Sequence, residues 1–337
     1  MGSVVRNVGA FQTSKSKRRY FIALGVMVAL AVVFTAGLLA WDNPVAFGTR
    51  AYWLIAERRL NAVIAMAVVA VCQGVATVAF QTVTNNRILT PSIMGFESLY
   101  IAINTATIYF LGASGLLASR TLETFVLQLV LMVGLSLVLY SWLLTDNAAN
   151  LHAMLLVGIV IGGGLGSLST FMQRMLTPSE FDVLTARLFG SVNNADPDFY
   201  PVAISLVLIA VTLVLLNSRR LNVISLGRDV TVNLGVGFRK NAIYTLILVS
   251  ILMAVSTALV GPMTFLGFLV ATLAYQFTNT YDHRYVFPMA IVLGYVVLTG
   301  AYFIMNHIFY AQGVVSIIIE LVGGITFLVV ILRKGRL

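Results

Sequence analysis

The sequence is poor in charged residues and in cysteine, and each shortage excludes a class of protein. Only 10% of its 337 residues are Asp, Glu, Lys or Arg, whereas 59% are hydrophobic. Soluble globular domains carry about 25% charged residues, so this chain is not built like one. The single cysteine, Cys72, lies within an apolar run. An intramolecular disulfide and a cluster of thiolate metal ligands are therefore both excluded.

Catalytic motifs are also missing. The sequence contains no G-x-x-x-x-G-K-[ST] loop, no H-E-x-x-H zinc motif and no G-x-S-x-G nucleophile elbow. Its three histidines, His152, His283 and His307, lie far apart near the ends of apolar runs, and we interpret them as interfacial residues that contact water. We expect no catalytic residue, no metal site and no nucleotide hydrolysis by this chain.

Long apolar runs are what the sequence does contain. A hydrocarbon core of ~30 Å needs about 20 apolar residues per helix, and such runs recur along the chain. They predict an all-α, polytopic membrane protein with about ten transmembrane helices in one domain over 20–333, with tails at 1–19 and 334–337. The predicted spans are 20–40, 60–82, 95–112, 121–143, 153–173, 201–217, 241–260, 264–279, 286–306 and 314–332. No small-residue cleavage site precedes Trp41, so the first run is interpreted as a retained helix.

Basic residues lie mostly on one side of these spans. If the N-terminus is cytoplasmic, the inner segments hold fifteen of the 21 Lys and Arg residues and the outer segments hold six. The inner set is Arg6, Lys15, Lys17, Arg18, Arg19, Arg87, Arg219, Arg220, Arg228, Arg239, Lys240, Arg284, Arg333, Lys334 and Arg336. The outer set is Arg50, Arg58, Arg59, Arg120, Arg174 and Arg187. This asymmetry predicts that both termini are cytoplasmic, and it explains the net charge of +9 without a nucleic-acid partner.

Two long polar connections lie on opposite sides of the predicted spans. The outer one, 174–200, favours a short external helix followed by a turn cluster. The inner one, 217–240, has apolar residues at helical spacing. It predicts short helices that are broken by Gly227 and Gly235 and lie against the inner face.

The stretch 82–100, "TVTNNRILTPSIMGFESLY", is polar and contains Pro91 and Gly95 between two apolar runs. Irregular backbone within a membrane is allowed only where it is buried in protein or lines a wet cavity, because unpaired backbone groups cost several kcal/mol in lipid. Two interpretations remain open from the residues alone. The stretch is either a buried, irregular part of a transport path or a plain cytoplasmic turn.

Four blocks of the sequence resemble the iron-siderophore and vitamin B12 permeases of bacterial ABC importers, in order along nearly the whole chain. "FQTVTNNRILTPSIMGFESLY" is similar to the family motif after the second span, with Gln81, Asn86, Pro91 and Gly95 at matching positions. Arg87 stands where the family has its first proline. "ARLFGSV" is similar to the stretch before the sixth span. The block at 256–294 matches at Gly261, Pro262, Phe265, Gly267, Asp282, His283 and Arg284.

The fourth block, "ISLGRDVTVNLGV", resembles the inner loop of the family. The matching residues are Leu226, Gly227, Asp229, Leu234, Gly235 and Val236, and Arg228 replaces the usual first acid. The resemblance implies that these seven residues contact an ATPase. The alternative from the residues alone is a surface loop held by lipid headgroups through Arg219, Arg220, Arg239 and Lys240.

The resemblance also implies an assembly. It predicts the type II ABC importer permease fold, a second homologous permease, two ATPase subunits that use ATP and Mg, and an external binding protein. The cargo would be a ferric siderophore. The sequence of the 82–100 motif resembles that of the catecholate branch, in which two different permeases usually pair. The location would be the bacterial cytoplasmic membrane, with lipid around the spans, and this chain itself would bind no cofactor.

Further site residues follow from these matches. "AERRLNAV" resembles the family's entry to the second span, so Arg58 and Arg59 are predicted to contact the binding protein, although Ala62 replaces a second arginine; the alternative is that both only anchor a helix. The fifth span contains five glycines, Gly158, Gly162, Gly163, Gly164 and Gly166. They predict close helix packing at Gly158 and Gly162, a flexible wall of the transport path as the resemblance implies, or both. Glu97 and Glu320 should face protein or water because a carboxylate in lipid costs a few kcal/mol, so both are candidates for the transport path or the permease interface. The alternative is a carboxyl group that is held neutral or hydrogen-bonded within the bundle.

Rival functions remain. Another large chelate, haem or a corrinoid, is possible because no residue pattern identifies the cargo. A secondary ion-coupled transporter would need corresponding broken helices in two halves of the chain, and the stretches 82–100 and 261–267 both contain Gly and Pro.

Overall fold

The computed structural model describes residues 9–41, 45–46, 48–118, 121–143, 151–308 and 315–334, and the regular secondary structure of these residues is entirely helical. Every predicted span falls on a helix. The long helices are α1 (Ser14–Ala40), α2 (Arg50–Thr84), α3 (Phe96–Ala118), α4 (Leu122–Leu143), α5 (Leu151–Gln173), α7 (Tyr200–Leu216), α10 (Phe238–Val260), α11 (Leu266–Thr278), α12 (His283–His307) and α13 (Val315–Lys334). The short ones are α6 (Pro178–Leu188), α8 (Ser218–Ile224) and α9 (Arg228–Asn233).

By length and composition, six helices of the described chain are able to cross a membrane, and three shorter apolar helices accompany them. The third predicted span ends at Gly112, and α3 indeed breaks there, because Gly112 has φ +71° and ψ 179°. Large hydrophobic side chains remain exposed on the outer helices, such as Val32 on α1, Phe110 on α3 and Leu208 on α7. In a bilayer these side chains contact lipid, so their exposure does not weaken the fold.

Helix α2 forms the centre of the bundle. It packs against α12, α10 and α11, and its residues from Val63 onward are largely buried. Small residues permit the closest approaches: a Cβ added to Gly74 would lie 3.1 Å from the backbone of Ala290 on α12. A second, separate contact joins α3 to α5. Close backbone contact through small residues is the usual way in which membrane helices associate.

The short helix predicted in the connection 174–200 is present as α6, and its external location stays a prediction. Thr177 accepts from the backbone nitrogen of Glu180, and Glu180 accepts from the backbone of Thr177, which forms a capping box, with Pro178 in the first turn. The predicted short helices of the inner connection are confirmed as α8 and α9. Gly227 and Gly235, with φ of +93° and +78°, separate them from each other and from the chain that follows.

Candidate functional site

The irregular stretch after α2 is held by local hydrogen bonds. Asn85 ends the helix in a left-handed conformation, with φ 49°. The side-chain nitrogen of Gln81 then donates to the carbonyl oxygen of Arg87 at 2.7 Å, and the backbone nitrogen of Ile88 donates to Asn86 Oδ1 at 2.9 Å. The Arg87 guanidinium lies over the Tyr275 ring at 4.5 Å, so the residue that replaces the family's proline is fixed by a cation–π contact.

The two halves of this stretch differ in burial. Asn85 and Arg87 are exposed, as in a surface turn, whereas Thr90, Ser92 and Met94 are each less than a tenth exposed. Pro91 precedes a single 3-10 turn over Ser92–Met94. The interpretation as a plain turn therefore fits only the first half. The second half is buried in protein, which is the condition for irregular backbone inside a membrane.

Gly95 brings this buried half against α5. It has φ +96°, and a Cβ added there would lie 3.2 Å from the Cα of Gly162. In return, a Cβ on Gly162 would lie 3.0 Å from the Gly95 Cα, and a Cβ on Gly158 would lie 3.0 Å from the Met94 methyl carbon. Gly158 and Gly162 thus form the small-residue contact that their four-residue spacing predicts.

The other three glycines of α5 behave differently. A Cβ added to Gly163, Gly164 or Gly166 would meet no heavy atom within 4 Å among the described residues. The neighbouring side chains of Val160 and Leu168 are also exposed. The glycines of α5 therefore divide into a packed pair and an open group of three. The open group lies on a surface that is free for a path, a partner or lipid.

Glu97 connects the two Gly- and Pro-containing breaks. It begins α3, is 9% exposed, and accepts a hydrogen bond from Thr264 Oγ1 at 2.5 Å. Thr264 lies in the break between α10 and α11, where Gly261 has φ +92°. The carboxyl group thus faces protein, as expected, while Glu320 on α13 is half-buried.

The inner segment 217–240 presents an apolar surface. Leu226, Val230, Val232 and Leu234 are each between 45% and 59% exposed on or beside α9. Thr231, which is fully buried, donates to the carbonyl oxygens of Val223 at 3.0 Å and of Gly227 at 2.6 Å. This hydroxyl ties α9 to α8, so the exposed apolar residues belong to a folded unit. Asp229 and Arg228 are exposed on the same short helix, and Val236 is half-buried after it.

Asn222 joins that unit to the membrane helices. Its side-chain oxygen accepts from the backbone nitrogen of His283 at 3.0 Å and lies 2.5 Å from His283 Nδ1. The other ring nitrogen of His283 lies 2.6 Å from Thr82 Oγ1 near the end of α2. The side-chain nitrogen of Asn222 donates to Asp282 at 3.1 Å. One asparagine therefore connects α8 with α12 and, through His283, with α2. His283 is 3% exposed, so its interpretation as an interfacial residue that contacts water is wrong.

Asp282 completes this network as the N-cap of α12. It accepts from Arg284 Nη2 at 2.6 Å. Burial works to raise the pKa of Asp282, but hydrogen bonds from Arg284 and Asn222 outweigh it and hold that pKa below its usual value. The ionised carboxylate thus stabilises the fold above the unfolded-state pKa of about 3.9, and this stability is lost as the pH falls through the lowered value.

A polar cavity of about 440 Å³ joins these parts. Its lining includes Gln81 near the end of α2, Asn86 and Arg87 from the stretch that follows, Ser225 from the inner segment, and His283 from α12. The matched motif 81–95 and the segment 217–240, which are far apart in sequence, therefore meet at one end of the bundle, at Ser225 just before the matched residues 226–236. The glycine contact of Gly95 and the carboxyl group of Glu97 lie farther along the same chain stretch, toward α5.

The two arginines near the start of α2 have different surroundings. Arg58 is exposed. Arg59 donates from Nη1 to three carbonyl oxygens at the end of α1, those of Leu38 at 3.3 Å, Leu39 at 3.4 Å and Trp41 at 2.8 Å. These carbonyl groups have no partner inside their own helix, so Arg59 caps α1. Its predicted contact with a binding protein stays a prediction.

Sequence reasoning missed Asn222 and Thr264. Both make their contacts with residues distant in the chain. Asn222 lies outside the matched blocks, and Thr264 lies inside the block 256–294 but at a position that we did not match. A polar residue on the buried face of a short amphipathic helix was the only available signal for Asn222. Among the described residues there is no group of three or more His, Cys, Asp or Glu side chains arranged to hold a metal ion.

Comparison with known proteins places the chain among transport proteins. The chain is 53% identical to the petrobactin import system permease protein FatC of Bacillus anthracis, over 98% of this chain and 94% of the relative. It is 37% identical to the petrobactin import system permease protein YclO of Bacillus subtilis, over 93% and 98%. A third relative, the petrobactin import system permease protein FatD of Bacillus anthracis, is 22% identical over 82% and 81%.

The fold is also known from a solved structure. A metal-chelate type ABC transporter in an inward-facing conformation matches with a TM-score of 0.75 and 20% identity, and the match covers 93% of this chain and 99% of the other. The model of the FecCD transport family matches residues 12–333. This chain therefore belongs to the FecCD transport family and is a multi-pass membrane permease.

Proposed function

We propose that this chain is the permease subunit of an ATP-driven importer that carries a ferric siderophore across the cytoplasmic membrane. Support for the cargo comes from two relatives, at 53% and 37% identity, that are both named as petrobactin import permeases. We propose petrobactin or a similar siderophore as the cargo, in keeping with the catecholate preference of the 82–100 motif. Iron enters as part of this cargo and is not a resident cofactor.

The observation that carries the ATP-driven mechanism is the exposed apolar surface of the segment 217–240. The sequence has no phosphate-binding loop, so ATP and Mg would be bound by two partner ATPases. Leu226, Val230 and Leu234 present exposed apolar side chains on a unit that Thr231 holds together. Asn222 connects this unit to α2 and α12. Movement of an ATPase would thereby act on the transmembrane helices as a rigid-body displacement.

The second permease would be a different chain. This chain is 53% identical to FatC but only 22% identical to FatD, and both relatives are named as permeases of a petrobactin import system of the same organism. That contrast supports a heterodimer of this chain with a FatD-like permease. The open glycines Gly163, Gly164 and Gly166 leave a surface of α5 that faces the path or the second permease.

The orientation follows from charge. Both termini and the segment 217–240 would lie in the cytoplasm, with α6 and the start of α2 outside. An external binding protein would then meet Arg58, whose exposed guanidinium is suited to a carboxylate partner. Arg59 would contribute to this contact indirectly, because it caps α1 and because its positive charge lies beside Arg58.

The test is uptake into vesicles that contain this chain, a FatD-like permease and the two ATPases, with binding protein supplied outside. Ferric petrobactin should accumulate inside the vesicles only when the ATPases face the interior and ATP is present there. Haem and a corrinoid, offered on their own binding proteins, serve as competing cargoes. If haem or the corrinoid is taken up and ferric petrobactin is not, the proposed siderophore cargo is wrong. Uptake by this chain alone, driven by an ion gradient without ATP, would mean a secondary transporter.

A further inference from the structure

A second cavity, of about 740 Å³, lies where α7, α8 and α10 meet at the inner end of the bundle. We call it the basic groove. Its walls include Leu213, Leu216, Asn217, Arg219, Arg220 and Lys240. The residues that line it, all within the described chain, include three cations and no carboxylate. This composition distinguishes it from the polar cavity at the end of α2, which contains His283 and borders the Asp282 network.

A buried amide adds a second, independent feature. Asn217 is 6% exposed and borders the basic groove. Its side-chain nitrogen has no hydrogen-bond partner within the described residues. A buried donor without an acceptor costs about 1–3 kcal/mol. An anionic oxygen in the groove would supply the missing acceptor, and Arg219, Arg220 and Lys240 would balance its charge.

The groove continues into an apolar surface. Leu216, at the end of α7, is 77% exposed, and Leu208 and Ile209 on the same helix are 61% and 59% exposed. An ATPase, which lies beyond the membrane surface, would instead meet the apolar residues of α9. A ligand that joins an anionic head to a long apolar tail fits both the cations and the leucines. Basic pockets between transmembrane helices on the cytoplasmic side are a known setting for such lipids.

We propose that the basic groove binds the phosphate of an anionic phospholipid, with the acyl chains along the exposed face of α7. The phosphate contacts Arg219, Arg220 and Lys240, and a rotation of the Asn217 amide brings its nitrogen to a phosphate oxygen. The lipid thereby covers the joint between α7 and α8. It holds the inner segment at a fixed depth in the membrane surface while the opposite side of that segment contacts the ATPase.

The test is native mass spectrometry of the full-length chain in detergent, titrated with phosphatidylglycerol, with phosphatidylcholine or with inorganic phosphate. One variant removes the three cations, as Arg219→Gln, Arg220→Gln and Lys240→Gln. The matched control removes two arginines and one lysine from the exposed start of α1, as Lys17→Gln, Arg18→Gln and Arg19→Gln. A third variant, Asn217→Leu, keeps the charges and removes the amide donor.

We expect wild type to prefer phosphatidylglycerol. Each removed groove cation should weaken that binding roughly fivefold, or about 100-fold for the triple variant, whereas the α1 control should change it less than threefold. Asn217→Leu should weaken it roughly fivefold. Equal binding by both triple variants, or equal binding of phosphatidylcholine, would overturn the proposal. Displacement of the lipid by millimolar inorganic phosphate would also overturn it. A groove variant that keeps the lipid but no longer co-purifies with its ATPase would overturn it as well.

Discussion

At the scale of single residues, the contact between Gly95 and α5 separates two kinds of glycine. A Cβ on Gly162 would lie 3.0 Å from the Gly95 Cα, which is backbone and cannot move aside as a side chain does. We expect Gly162→Ala to lower the free energy of unfolding by about 1–3 kcal/mol through overpacking. The measurement is the thermal unfolding midpoint of the purified protein in detergent, with loss of transport as a second readout.

The control for this substitution is on the same helix. Gly163→Ala places its methyl group where no heavy atom of the described chain lies within 4 Å, and alanine favours a helix over glycine by about 0.5–1 kcal/mol. Its unfolding midpoint should therefore stay equal to wild type or rise. If both variants unfold at the same temperature, Gly95 and Gly162 do not form a tight contact.

The two arginines of α2 give a second prediction at this scale. Arg59→Gln removes hydrogen bonds to the carbonyl oxygens of Leu38, Leu39 and Trp41, so it should lower the free energy of unfolding by about 1–3 kcal/mol. Arg58→Glu changes an exposed charge and should instead slow association of the binding protein and weaken its salt dependence. Thermal unfolding and association kinetics of both variants separate the two roles. If both variants show the same unfolding midpoint and the same association rate, the two arginines do not have different roles.

At the scale of elements, the inner segment acts as one folded unit. Leu234→Glu places a charge on its exposed apolar surface and should abolish transport and co-purification of the ATPase, while membrane insertion stays intact. Ser14→Glu, an exposed site at the start of α1 on the same predicted side, adds the same charge and should leave both unchanged. Normal transport by Leu234→Glu would contradict the coupling role.

The attachment of this unit is a separate property. Asn222→Leu keeps the size of the side chain but leaves Asp282 and His283 without their shared partner. We expect the ATPase still to bind, because the apolar surface is unchanged, while uptake falls at least about tenfold per ATP hydrolysed. The ratio of cargo transported to ATP hydrolysed measures this directly. Asn233→Leu, on the exposed side of α9, is the matched control and should keep the wild-type ratio.

At the scale of the whole molecule, we predict that the open face of α5 lines the transport path. Cys72 is fully buried, so wild type should not react with a water-soluble maleimide. Gly164→Cys should react in the assembled permease pair, because a thiolate forms only where water reaches it. Leu208→Cys, on the exposed face of α7, should stay unlabelled in lipid. Labelling of Leu208→Cys but not of Gly164→Cys would place the path elsewhere.

The sequence predicts the membrane helices well because each must bury or present about 20 apolar residues, and this requirement is local. The breaks at Gly227 and Gly235 are likewise predictable because only glycine adopts those backbone angles freely. The cap of Arg59 on α1 and the bridge through Asn222 are not predictable in this way. Both depend on how distant helices pack, which no local pattern of residues specifies.

Helix α2 has a geometric consequence for communication across the membrane. Its 35 residues form one unbroken helix. At a rise of about 1.5 Å per residue it is roughly 52 Å long, far more than the ~30 Å hydrocarbon core. Arg58 lies near one end and Thr82 near the other. A single rigid helix thus extends beyond the hydrocarbon core, and a tilt imposed at one of its ends displaces the other end without any chain of intermediate contacts.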